Sequence, residues 1–155
     1  LKNIEALNIA VGNKNEDIFF MDTNKTCTKE KKNRLENNSG GQHVITQENI
    51  NNNERSAHLH TTSIKNKMYK FDDLPINNID IMLIDIEGFE YNFLLGAKNK
   101  IMKYKPIIII EIWPNSKRRS ENMKTTQDEV INMIKSMNYK LIENIDEDFI
   151  FEPIN

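Results

Sequence analysis

The tightest constraint on this fold is a spacing in the C-terminal half of the chain. Two short apolar runs, residues 79–84 and 107–110, flank a stretch whose apolar side chains recur at helical intervals. Phe89, Phe93, Leu94, Ala97 and Ile101 share one stripe of that stretch, which predicts a helix over 89–103. Pro106 opens the second run, and its four consecutive isoleucines predict a parallel strand covered on both faces. A further helical stripe of Val130, Ile131, Ile134 and Met137 follows a cap at Thr125 or Thr126. Residues 139–145 and 148–151 then read as two strands. Strand, helix, strand, helix, strand predicts an α/β fold built on a parallel sheet with right-handed crossovers. Only Asp146 and Glu147 separate the last two strands, too short a link for a parallel return. The sheet is therefore expected to be mixed, with an antiparallel pair at its C-terminal edge.

The N-terminal half is less regular. Residues 4–11 alternate in part and read as a short strand, residues 12–17 as a turn, and 18–21 as a second strand, together suggesting a hairpin. Residues 22–63 are polar and rich in asparagine, with Val44 and Ile45 as the buried anchor. So long a stretch is unusual in a compact domain, and it reads as a poorly ordered insertion with short strands at 43–46 or 59–63. Its lysine-rich patch at 29–34 is interspersed with glutamate and reads as a solvated loop.

Composition narrows the function. At 155 residues and a formal net charge of −2, the chain is one domain with no electrostatic case for a nucleic-acid partner. Cys27 is the lone cysteine, which excludes an internal disulfide and a multi-cysteine zinc site. No apolar run approaches the roughly 18 residues of a membrane span, so no membrane role is expected and a cytoplasmic location is the default.

Chemistry concentrates at the strand ends. In open α/β sheets, ligands gather outside the carboxyl ends of the strands. Asp85 and Glu87 follow the run at 79–84, and Glu111 follows the run at 107–110, so three carboxylates are expected on one rim. Gly88 permits the turn into the helix, and Glu90 sits favourably in the helix's first turn. Each acid alone reads equally well as a cap for backbone amides; their convergence favours a site. Rim carboxylates can orient a hydroxyl, act as a base, or contribute to a hard-metal site, although too few ligands are present to assign one. His58 and His60 alternate on a strand pattern but lack a third partner, and His43 follows a Ser-Gly-Gly loop. Trp113 either lines a pocket or covers the sheet end.

These residues carry a resemblance. Phe71-Asp72-Asp73-Leu74, the segment 79–90 with its Asp-Ile-Glu-Gly-Phe-Glu ending, Leu94-Leu95-Gly96-Ala97 and the Lys-Pro strand 105–112 are similar, in order and spacing, to the C-terminal half of FkbM-type methyltransferases. Ile9-Ala10-Val11-Gly12 and Ser39-Gly40-Gly41 resemble upstream family features less specifically. The resemblance implies a Rossmann-like class I methyltransferase sheet and O-methylation of a small molecule or sugar with S-adenosylmethionine. It implies that Asp85, Glu87 and Gly88 lie beside the cofactor and substrate cleft and that Asp73 belongs to the approach to the strand. Candidate catalytic residues are thus Asp85 and Glu87, and candidate cofactor-binding residues are Gly88, Asp73 and Glu111, with no metal ligands assigned.

Two departures qualify the resemblance. Leu83 stands where the family usually carries lysine, two positions before the first acid of the motif. The chain begins at Leu1, and its residues do not supply the strand, glycine-rich loop and helix that cradle the methionine end of the cofactor. Residues 1–155 are therefore expected to form an N-terminally incomplete domain that binds S-adenosylmethionine when the preceding part is supplied. The alternative is a non-catalytic, truncated α/β scaffold with a protein-interaction role, its exposed sheet edge covered in a homodimer or by another partner. A hydrolase or metal-dependent sugar enzyme would instead require a metal at Asp85 and Glu87.

Overall fold

The computed structural model describes residues 3–21, 45–46, 63–120 and 123–154. Their strands form two four-stranded sheets. The expected β-α-β unit lies in the second sheet, and its geometry follows from local sequence. Strand β5 (Ile81–Ile84) alternates exposed and buried side chains, pointing Met82 and Ile84 inward. Helix α1 (Glu90–Tyr104) carries Phe93, Leu94, Ala97 and Ile101 on its buried face. It ends where Lys105 enters the left-handed region at φ 50 and donates its N–H to the Ile101 carbonyl, and Pro106 precludes continuation. Strand β6 (Ile107–Glu111) then pairs parallel with β5, Ile81 opposite Ile107 through Ile84 opposite Ile110.

The remaining elements close the core. Helix α2 (Asn115–Ser120), which the apolar pattern does not announce, leads towards α3 (Gln127–Ser136). Thr126 starts α3 with a reciprocal capping box, its hydroxyl accepting the Glu129 N–H while the Glu129 carboxylate accepts the Thr126 N–H. Strands β7 (Tyr139–Ile145) and β8 (Asp148–Pro153) form the expected antiparallel hairpin around Asp146, which takes φ 55. β8 inserts between β6 and β7, giving the order β5-β6-β8-β7. The result is a partial Rossmann-like sheet, mixed in the predicted way. α1 and α3 pack on one face of it, over Met82, Ile84, Ile108, Ile110, Phe149 and Phe151.

Among the described residues, the isoleucine strand is not covered on both faces. Ile81, Leu83 and Ile107 share the opposite face and are exposed, Leu83 by 77%. Among the described residues, both core helices lie on the other side.

The first sheet also departs from expectation. Strands β1 (Ala10–Gly12) and β2 (Glu16–Met21) do not form a hairpin with each other. β4 (Ser63–Lys70) lies between them, parallel to β1 and antiparallel to β2, while β3 (Ile45–Thr46) pairs the outer side of β2. The six-residue register of β2 with β4 and two ion pairs from Asp17 to Lys65 (2.6 Å) and Lys67 (2.7 Å) favour that arrangement. Asn15 fixes the intervening turn, accepting the Lys70 N–H at 2.7 Å and donating to Asp73 at 2.9 Å. Within the expected insertion at 22–63, Ile45 and Thr46 do form a strand; Cys27, the lysine patch, Gly40, Gly41 and the three histidines lie outside the described residues.

The two sheets meet across α1. Gly96 on the helix approaches Gly12 so closely that a side-chain carbon at 96 would fall on the Gly12 carbonyl. Phe71, in a short 3-10 turn at Phe71–Asp73, meets Phe93 edge-on at 5.4 Å between ring centres. Asp72 accepts the backbone N–H groups of Asn99 (3.1 Å) and Lys100 (2.9 Å), tying that turn to the later half of α1.

Candidate functional site

Parallel strands β5 and β6 end together, so the residues that follow them share a rim. Asp85 leaves β5 into solvent, followed by Glu87 and Gly88, both left-handed at φ 54 and φ 90. Two successive left-handed residues turn the chain sharply into α1. Glycine suits position 88 because a side-chain carbon there would be strained at this φ, and it would also press on the end of the Met123 side chain, which would have to shift. Left-handed Glu87 costs roughly 1 kcal/mol or more and needs its surroundings to hold it.

Glu111 closes β6 beside these acids. Burial pushes its carboxyl above the usual range, the negative charges of Asp85 and Glu87 raise it further, and the hydrogen bond from Trp113 opposes both. That bond, from the indole N–H to Glu111 Oε2, is 2.8 Å long. The three predicted rim carboxylates are thus brought within electrostatic reach of one another. They do not gather tightly enough to hold an ion: among the described residues, no group of three His, Cys, Asp or Glu side chains forms a metal site.

Sequence reasoning did not single out the cations on this rim. Lys117, on α2, lies 3.8 Å from the centre of the Trp113 ring and 3.3 Å from Glu147 in the β7–β8 turn. The Ile112 N–H donates to the Glu147 carbonyl at 2.7 Å, which fixes the hairpin tip against the end of β6. Arg118, the next residue, is buried against Glu90. The basic run at 117–119 is visible in the sequence, but its placement depends on the loop from Trp113 to α3. Gln127 and Asn115 shape that loop, the Gln127 amide reaching the Ile112 carbonyl and the Asn115 side chain accepting the Gln127 N–H.

Asp73 stands apart from the other candidates. It bonds Asn15, and its neighbour Asp72 docks near Lys100, ten residues or ~15 Å along α1 from Glu90. Asp85, Glu87, Gly88 and Glu111 form one constellation; Asp73 belongs to the anchor between the sheets.

The family model "Methyltransferase FkbM domain" matches residues 1–141. The chain belongs to the FkbM methyltransferase family. Among solved structures, it is similar to methyltransferase FkbM from Methylobacillus flagellatus KT, at 21% identity and a TM-score of 0.43. That match covers 57% of this chain and 23% of the other, so this FkbM-family chain spans less than a quarter of the length of that protein. No curated protein matches the chain. Among the described residues, no helix is long and apolar enough to cross a membrane.

Proposed function

We propose that the chain contributes the acceptor side of an S-adenosylmethionine-dependent O-methyltransferase acting on a small-molecule or sugar hydroxyl. The observation that carries this reading is the Asp85–Gly88 turn at the carboxyl end of a parallel strand, in a member of a methyltransferase family. The rim carboxylates are acceptor groups, suited to the hydroxyls and ammonium of that cofactor as well as to an acceptor hydroxyl. Asp85, Glu87 and Glu111 are the residues that would hold these groups. S-adenosylmethionine, when bound, supplies an electrophilic methyl group on a sulfonium.

Solvent-facing Asp85 would accept the hydroxyl hydrogen of the acceptor, raising the oxygen's nucleophilicity and taking up its proton while the methyl carbon exchanges its bond to sulfur for one to that oxygen. Glu111, oriented by the Trp113 N–H, is held nearer to its neutral form by burial and by the two neighbouring acids. In that form it can donate a hydrogen bond as well as accept one. Fixed placement of the acceptor supplies much of the rate in such a transfer.

The test is calorimetric titration of S-adenosylmethionine into the chain, and into any longer product of its gene, followed by transfer assays with Asp85→Ala. Heat of binding with a large loss of transfer in the folded variant supports the reading; normal transfer by folded Asp85→Ala removes Asp85 from the chemistry. A second reading, a non-catalytic scaffold that binds protein, draws support from the exposed Ile81, Leu83 and Ile107. It predicts self-association or partner binding that Leu83→Lys abolishes, without cofactor binding.

A further inference from the structure

Arg118 and Glu90 are each 1% exposed, and together they form a chain of contacts that ends at the left-handed turn. The Arg118 Nε donates to the Thr125 carbonyl at 2.7 Å and its Nη2 to the Thr125 hydroxyl at 2.6 Å. Its Nη1 faces Glu90 Oε2 at 3.6 Å. The other oxygen of Glu90 accepts the Gly88 N–H at 2.7 Å. Thr125, Arg118, Glu90 and Gly88 are thereby linked across three segments of the chain.

Stability alone does not account for this arrangement. Burying two charges carries a desolvation cost that their attraction often fails to recover, more so when the facing atoms make no hydrogen bond. Neither Glu90 Oε2 nor Arg118 Nη1 makes one. Glu90 feels the burial directly, which raises its carboxyl from the ordinary range, while the backbone hydrogen bonds and Arg118 oppose the rise. The pair sits where backbone geometry is least tolerant: Glu87 and Gly88 are both left-handed, and they separate Asp85 from α1. A short N–H bond to a carboxylate restrains such a turn, and the facing guanidinium favours the charged form of the acid that accepts it.

We propose that Arg118 is a positioning residue: through the buried Glu90 carboxylate it fixes the Glu87–Gly88 turn, and with it the directions in which Asp85 and Glu87 leave the strand end. The catalytic meaning rests on the methyltransferase reading; the geometric claim stands separately. α2 therefore does more than connect β6 to α3. It carries the cation that sets the shape of the rim.

Glu87–Gly88 is the single Glu–Gly step among the five glycines of the chain, so carbonyl-13C glutamate with 15N glycine isolates the Gly88 amide signal. Its hydrogen–deuterium exchange would be measured in the whole chain, with Gly12 and Gly96 as internal references, for wild type, Arg118→Met, Arg118→Lys and Arg119→Met. Arg118→Met is expected to accelerate Gly88 exchange at least tenfold relative to both references, and exposed Arg119→Met to leave it unchanged. The double variant Glu90→Gln/Arg118→Met removes both buried charges while keeping an oxygen for the Gly88 N–H, and is expected to restore protection to within threefold of wild type.

Unchanged Gly88 exchange in folded Arg118→Met overturns the proposal, as does failure of the double variant to recover protection. Should Arg118→Met not fold, Arg118→Lys decides: it keeps the charge but loses the forked grip on Thr125, and an acceleration below threefold overturns the proposal. A wild-type chain that takes up no S-adenosylmethionine counts against the proposed reaction alone, since the exchange comparison reads Arg118 without cofactor.

Discussion

Gly96→Ala offers a test in which two physical effects have opposite signs. In the middle of α1, alanine is favoured over glycine by about 1 kcal/mol, so an unhindered site would be stabilised. Here the added carbon falls on the Gly12 carbonyl oxygen, 2.7 Å from its carbonyl carbon and 3.1 Å from Asn13 Cα. Ordinary contacts between carbon atoms lie at about 3.5–4.0 Å, so β1 must retreat by roughly 1 Å. The atoms it meets are backbone, which cannot rotate away as a long side chain would. Overpacking of this kind costs about 1–3 kcal/mol, and a retreat of β1 also loosens its pairing with β4. Net destabilisation of about 1–2 kcal/mol is expected, at about 2–4 °C of melting temperature per kcal/mol for a chain of this size. Urea and thermal unfolding followed by circular dichroism give the sign, and amide exchange at Val11 and Gly12 locates the damage. A higher melting temperature with unchanged exchange in β1 would refute the close approach of α1 to β1.

Three further outcomes are expected. Thr126→Ala removes the capping box of α3 and should cost about 1 kcal/mol in urea unfolding, with Thr126→Ser recovering most of it. Tyr139→Phe deletes the 2.9 Å hydrogen bond to the Pro106 carbonyl and should cost about 1–2 kcal/mol at neutral pH. Burial pushes the Tyr139 phenol from 10.0 up to about 12, so its contribution to stability is fully present below pH 10 and is lost as pH rises through 12. Urea midpoints should therefore fall less steeply over that window in the phenylalanine variant. Trp113→Phe withdraws the N–H that opposes the rise of the Glu111 carboxyl, which should titrate higher still by carboxyl-carbon NMR; a downward movement would contradict the contact.

The local order of the C-terminal half was legible in the chain itself. Period and punctuation are short-range properties: the stripe from Phe93 to Ile101, the Lys105-Pro106 stop, the Thr126 cap and the two-residue turn at Asp146 each fix their element with neighbours a few residues away. The motif at 85–90 likewise marks Asp85, Glu87 and Gly88 as following a strand end. What the sequence could not decide was pairing at a distance. β2 chose β4 over β1 because an eight-residue partner and two lysines lay some fifty residues away, and no local pattern records that choice. The resemblance set Asp73 on the approach to the strand, and only the fold shows that its side chain accepts a hydrogen bond from Asn15. Arg118 stands in a basic run at 117–119 that carries no local signal of burial, and it is packed against Glu90. A charged side chain is read as solvated by default, and only the tertiary packing of three segments around it reverses that expectation.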